Sequence, residues 1–119
     1  MGAIRRFLER LSESDESRLA TEVRDWADSV PGSIRIADAH VRERVKIAGV
    51  VNRITVLPME GNESLEALVS DGTGEVTVVF MGRRSIPGLS LGTRLVVEGA
   101  LGEQRGQRRI VNPRFEFTG

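Results

Sequence analysis

The 119-residue chain has no cysteine, no tyrosine, one histidine (His40) and one lysine (Lys46). Without thiols, structural disulfides, Cys-type zinc sites and thiol catalysis are excluded. His40 stands in a charged turn with no nucleophile pattern around it, so it reads as a surface residue rather than a catalytic base. Aromatic residues make up only 4% of the chain, Trp26 and four phenylalanines, which leaves few rings on which a nucleobase could stack. No apolar run approaches the length needed to cross a bilayer. The amino-terminal stretch 1–10 is charged throughout and lacks the apolar core of a signal peptide, so a cytoplasmic protein without membrane contact is expected. A phosphate loop is also missing, because Gly72-Thr73-Gly74 opens a strand and not a helix. Asp71 and Glu75 are explained by turn geometry and by exposure, not as an acid–base pair. The expectation is a non-enzymatic protein with no cofactor and no metal.

Among the residues that are present, charge is the first guide. Formal net charge is zero, which argues against a strongly basic nucleic-acid binder, yet the charge is uneven. Residues 1–40 carry 6 Arg against 8 acidic residues, net −2, whereas residues 81–119 carry 7 Arg against 3 Glu, net +4. Of the 17 basic residues 16 are arginine. Arginine forms bidentate contacts with phosphate and stacks on bases, although a GC-rich genome would give the same bias.

Periodicity divides the chain. Ile4, Phe7, Leu8 and Leu11 lie at the i, i+3, i+4, i+7 spacing of an amphipathic helix. Ser12 or Ser14 offers an N-cap, and Leu19, Val23, Trp26, Ala27 and Val30 continue the spacing until Pro31-Gly32 stops it. One long helix and two short ones are both compatible with the polar 12–16 interruption. Residues 1–32 are therefore expected to be an amphipathic helical leader, and residues 33–119 a single all-β domain.

From Ile34 the period changes to two. The stretch 44–57 is long for one strand, and Gly49 near its middle predicts a bulge or bend that lets the strand serve both halves of a curled sheet. A polar loop is expected over 58–63, a second strand over 64–71 and a third over 75–81. The third follows the Asp71-Gly72-Thr73-Gly74 turn, whose residues tolerate the positive φ of a tight hairpin. A connection over 82–92, with room for one helical turn, leads to a fourth strand over 93–101. The loop 102–106 then leads to a fifth strand over 107–117, broken at Asn112-Pro113 as suits an edge.

Five strands, a bent first strand, a tight hairpin between strands two and three and a final hairpin match the five-stranded OB-fold barrel. The pattern Val45-x-Ile47-x-Gly49-x-Val51, the run Val69–Phe80 and the segment Leu91–Gly99 resemble the OB domains of RecG-type helicase wedges and anticodon-binding modules. With its leader, the chain resembles small actinobacterial OB-fold nucleic-acid-binding proteins. The resemblance to OB domains covers residues 41–117, and together these resemblances imply a module that binds DNA or RNA, most simply single-stranded, with low sequence specificity.

In this fold the usual ligand face is the outer surface of strands two and three, bordered by the loops joining strands one to two and four to five. Val76, Val78 and Phe80 are expected inside, with Glu75, Thr77, Val79 and Met81 outside beside Glu66, Leu68 and Ser70. Candidate phosphate-contacting residues are Arg53, Arg83, Arg84, Arg105, Arg108, Arg109 and Arg114; the densest cluster is 105–109. Phe115 and Phe117 read as core or edge closure more readily than as a stacking platform. The outward Leu68, Val79 and Met81 suggest a second reading: an interaction or self-association module on which the leader helix docks, in its own chain or a neighbour's. Against it stands a leader that merely caps the barrel bottom.

Overall fold

The computed structural model describes residues 2–59 and 62–118, with side chains described at all of these except 5–16, 59 and 62. One helix, α1 (Gly2–Ser29), precedes six strands: β1 (Arg44–Met59), β2 (Asn62–Ser70), β3 (Glu75–Met81), β4 (Arg94–Gln104), β5 (Gln107–Val111) and β6 (Arg114–Thr118). The leader is a single helix because its polar interruption contains neither proline nor glycine, and Ser, Glu and Asp cost a helix interior only tenths of a kcal/mol each. Pro31-Gly32 ends it, with Gly32 at φ 79°. The Ser33 hydroxyl lies 2.8 Å from the Ala27 carbonyl and 2.9 Å from that of Val30, so it adds a second donor to one of these helix-end carbonyls, which also accept the Val30 and Ser33 backbone N–H groups.

The strands close in the ring β1-β2-β3-β5-β4 and back to β1, the OB-fold arrangement. Every contact in the ring is antiparallel except the short parallel β3–β5 pairing that seals it. β1 serves both halves as expected: residues 44–50 pair with β4 and 50–59 with β2. The bulge, however, falls at Asn52, where the register skips from Val51 to Arg53, and not at Gly49. Gly49 has another purpose. A Cβ there would lie 2.6 Å from Val69 Cγ1 and 2.7 Å from the Ser70 carbonyl oxygen, so the strand can cross from one partner to the other only where no side chain intervenes.

Two expected loops are shorter than their composition suggests. The 58–63 segment is largely strand, with Pro58 paired to Glu63 and Met59 to Asn62; Glu60 and Gly61 lie outside the described residues. The 102–106 loop contracts to Arg105-Gly106, with φ of 54° and 77°, because a two-residue turn with positive φ at both positions matches the twist of the flanking strands. The connection 82–92 holds turns and bends, not a helical turn, and buries Ile86. The expected fifth strand is divided at Asn112-Pro113 into β5, which closes the ring, and β6, which pairs with the other half of β4.

Ile47, Val51, Leu65, Ala67, Val69, Val76, Val78, Leu95, Val97 and Ile110 fill the barrel, as strand alternation requires. Phe80 belongs to this core and meets Phe115 edge-on at 5.1 Å. Val79 is the exception to the expected pattern. It has the outward parity, yet it is 3% exposed, flanked in register by Glu66 of β2 and Val111 of β5. Val79 lies in the middle of three paired strands, where outward parity does not by itself give exposure.

The leader docks on its own chain, but not on the β2–β3 face. Ala27 sits against Ala48 of β1 and Val96 of β4, with Trp26 and Val30 at the margins. Small residues on both sides let the helix approach the sheet closely. Arg94 stacks its guanidinium over Trp26 at 5.1 Å. Ile36, in a short 3-10 turn over Ile36–Asp38 that follows α1, is fully buried in the core.

Candidate nucleic-acid interface

The Asp71–Gly74 turn organises the end of the barrel where the groove begins. Asp71 is the one buried charged residue among those described. Its carboxylate accepts from the Ile36 backbone N–H at 2.8 Å, the Thr73 N–H at 2.8 Å and the Thr73 hydroxyl at 2.6 Å, and Arg24 Nη1 lies 3.2 Å away. Arg24 also donates to the Asp71 carbonyl at 2.6 Å. One carboxylate therefore fastens the hairpin, the Ile36 plug and α1 together. Burial pushes its pKa up, but the hydrogen bonds from Thr73 and Ile36 and the Arg24 charge outweigh that and leave it below the ordinary carboxylate value. On the helix, hydrogen bonds from Arg24 and Arg35 lower Asp28 to about 2.

On the other side of that turn an open groove of about 520 Å³ crosses the outer sheet surface. Arg53 and Thr55 of β1, Glu66 and Leu68 of β2, and Glu75 and Thr77 of β3 form its floor, and Gly106, Gln107 and Arg108 of the β4–β5 hairpin form a wall. Glu66, Leu68, Glu75 and Thr77 are outward positions expected from alternation, whereas Ser70 lines a different groove beside α1. Leu68 is half-buried and Met81 exposed at the far end of β3, so with Val79 covered no continuous apolar face remains.

The structure brings some of the candidate arginines together and separates others. Arg53 is exposed on the groove floor, and Arg105 stands exposed at the apex of the β4–β5 turn beside it. Neither side chain has a hydrogen bond or ion pair to any described residue. Arg108 lines the groove but is half-buried, and its Nη1 donates to the Ile36 carbonyl, so it also closes the barrel end. Arg109, on the outward side of β5, donates to Gln104 and lies 3.8 Å from Glu66. Arg84 pairs with Glu63 at 2.8 Å; it and Arg83 follow the end of β3 remote from Glu75. Arg114 lies on β6, in a shallow depression with Lys46, Glu98 and Glu116. The groove itself is nearly neutral, Arg53 and Arg108 facing Glu66 and Glu75, and no aromatic ring lines it. Phe115 is half-buried against the core, and Phe117, 37% exposed, lies over Gly88. His40 is exposed, as expected.

Sequence reasoning missed Asp71 as a hub and Ile36 as a plug. An Asp before Gly announces a turn whether or not its carboxylate is buried. Ile34 and Ile36 stand two apart and read as a strand-like lead-in, which does not announce that Ile36 enters the core from a 3-10 turn while Ile34 stays exposed.

Ring closure, a first strand shared between both halves and a groove across β2–β3 define the class: an OB-fold barrel with an N-terminal helical leader. No protein-family model matches the chain, and no curated protein matches it in sequence. Among solved structures it is similar to a chain from a Replication Protein A heterotrimer bound to ssDNA, with a TM-score of 0.52 and 17% identity, over 75% of this chain and 67% of that one. At that identity the likeness is one of fold. Among the described residues there is no helix long and apolar enough to cross a membrane, and no cluster of residues suited to hold a metal ion.

Proposed function

We propose that the chain is a non-enzymatic module that binds single-stranded nucleic acid in the β1-β2-β3 groove, with arginine–phosphate contacts and low sequence specificity. The observation that carries this reading is Arg53, whose side chain is unpaired on the floor of an open groove on the ligand face of the fold, with Arg105, also unpaired, next in the chain to the Gly106 that lines the groove wall. Arg108 contributes its remaining donors from the wall. The fold similarity to a protein solved with ssDNA supports the same reading. Without rings, little stacking energy is available, so phosphate charge dominates and binding is weak and salt-sensitive. Residues 33–119 constitute the binding module and residues 1–32 its leader, and the reading places the protein in the cytoplasm.

The test is the affinity for single-stranded DNA and RNA oligonucleotides over a salt series, for the natural chain and for Arg53→Gln/Arg105→Gln. Each lost phosphate contact reduces the slope of log affinity against log salt by about 0.7 for a single strand. An unchanged slope speaks against phosphate contact. The balance of Arg and Glu in the groove favours a second reading, an interaction module for another protein. That reading gains if no oligonucleotide binds at low salt.

A further inference from the structure

The outer face of the sheet continues past the first groove. Val50 of β1 pairs in register with Arg94 of β4 on one side and Ser70 of β2 on the other, and Ser70 pairs with Glu75 of β3. Their neighbours Val51, Val69, Leu95 and Val76 point into the core, so these four form one outward row across four strands, spanning three inter-strand gaps of about 4.8 Å. Glu75 lines the first groove. Arg94, Val50 and Ser70 line a second, of about 450 Å³, whose wall is Leu19, Ala20 and Val23 of α1. The bulge at Asn52 joins the two: it breaks the alternation, so that consecutive residues serve both grooves, Asn52 the second and Arg53 the first.

We infer that the second groove continues the nucleic-acid track, and that a further nucleotide of the same single strand lays its base there against α1. This rests on the reading of the first groove as a single-strand site. The lining names the occupant. The first groove is polar apart from Leu68, suited to a sugar–phosphate backbone, whereas Leu19, Val23 and Val50 offer the second groove apolar surface for the face of a base. The Asn52 amide both donates and accepts, as a base edge requires, and Ser70 adds a hydroxyl. Arg94 supplies the cation. Its guanidinium is held over Trp26 at 5.1 Å, and its side chain has no hydrogen bond or ion pair to any described residue. Glu22, exposed on α1, is the one acid in the lining, so the phosphates follow Arg94 and not the helix.

The wall is fixed in place. Arg24 donates to the Asp71 carbonyl, and Ala27 packs on Ala48 and Val96, so α1 converts an open sheet surface into a cleft. The leader thereby becomes part of the binding surface, and it supplies apolar contact to a base where the chain has no ring to offer.

Trp26 is the single tryptophan of the chain and lies under Arg94, so its emission reports on the second groove. The experiment titrates the full chain with single-stranded DNA and RNA of about four and about twelve nucleotides, following strand anisotropy and Trp26 emission together. The natural chain is compared with Leu19→Ala/Asn52→Ala and with Arg94→Gln, each checked for native circular dichroism; Leu19 and Asn52 are exposed, so their loss spares the fold. The longer strand should bind more tightly and change Trp26 emission. Leu19→Ala/Asn52→Ala should weaken it by about fivefold, the lower end for one packed base, without altering the salt slope. Arg94→Gln should reduce that slope by about 0.7, one phosphate contact. A longer strand that binds with Trp26 emission unchanged, or with affinity indifferent to Leu19→Ala/Asn52→Ala, overturns the second groove; if Arg53→Gln/Arg105→Gln still weakens that binding, the first groove stands. A natural chain that binds neither strand overturns both.

Discussion

The two sides of the Asp71–Gly74 turn carry charge in opposite ways. Towards α1, Asp71 is buried and Arg24 partly so, and the Asp71 oxygens have partners in three separate segments of the chain. Towards the groove, Arg53 and Arg105 are exposed and unpaired, and Glu75 stands in solvent a few residues from Asp71. Position in the sequence does not distinguish Asp71 from Glu75; burial and partners do. A buried, fully paired carboxylate holds the fold and is costly to disturb, whereas an exposed unpaired cation contributes little to stability and is free to meet an anion.

The sharpest way to break that comparison is Asp71→Ala. It strips the Ile36 and Thr73 donors of their acceptor and leaves Arg24 without one of its anions, and unfolding free energy should fall by about 3 kcal/mol. Glu75→Ala, on the other side of the turn, should stay within about 0.5 kcal/mol in the same denaturant titration. Equal losses would mean that the buried network does not hold the turn.

Acid unfolding tests the same carboxylate without mutation. Asp71 and Asp28 titrate lower in the folded protein than in the unfolded chain, so their stabilisation is complete above the unfolded value of about 4 and is lost as pH falls through their folded values, about 2 for Asp28. Stability should therefore decline from about pH 4 towards pH 2. In Asp71→Asn, monitored by circular dichroism, that decline should be shallower, since one of the two linked protons is gone. An identical acid limb would locate the linkage elsewhere.

Arg53→Gln/Arg105→Gln sharpens the comparison from the groove side. Denaturation should move by no more than about 0.5 kcal/mol, while the salt slope of oligonucleotide binding drops by about 1.4, two single-strand phosphate contacts. A large stability loss would make these arginines structural. The smallest effect is expected for Arg84→Gln, which removes one exposed ion pair to Glu63 away from the groove: under about 0.5 kcal/mol in stability and no change in salt slope. If Arg84→Gln lowers the slope as much as the double variant, the binding track extends along β2–β3 to that end.

Strand periodicity made the barrel legible. Alternation in 44–57 and 75–81, with Asp-Gly at 71–72 and Gly49 within the first strand, was enough to anticipate a small closed barrel and the inward set Val76, Val78 and Phe80. The candidate site was legible as a face but not as a set of side chains. Seven arginines share one composition signal, and only distance sorts Arg53 and Arg105, beside the groove, from Arg114 on β6 and from Arg84 at the other end. The parity of Val79 was right and its exposure wrong, because parity says which way a side chain points and not how tall its neighbours are.

The sequence by itself determined the local terms: a helix stopped by Pro31-Gly32, strands whose period of two allows one buried face, and turns where residues tolerate positive φ. These depend on neighbours a few positions away. Tertiary structure alone decided where the bulge falls, that Ile36 plugs the barrel, that Asp71 is buried among partners 35 and 47 residues distant, and which face α1 covers. Each of these is a contact between segments far apart in the chain, and its energy comes from burial and pairing that exist only once the ring has closed.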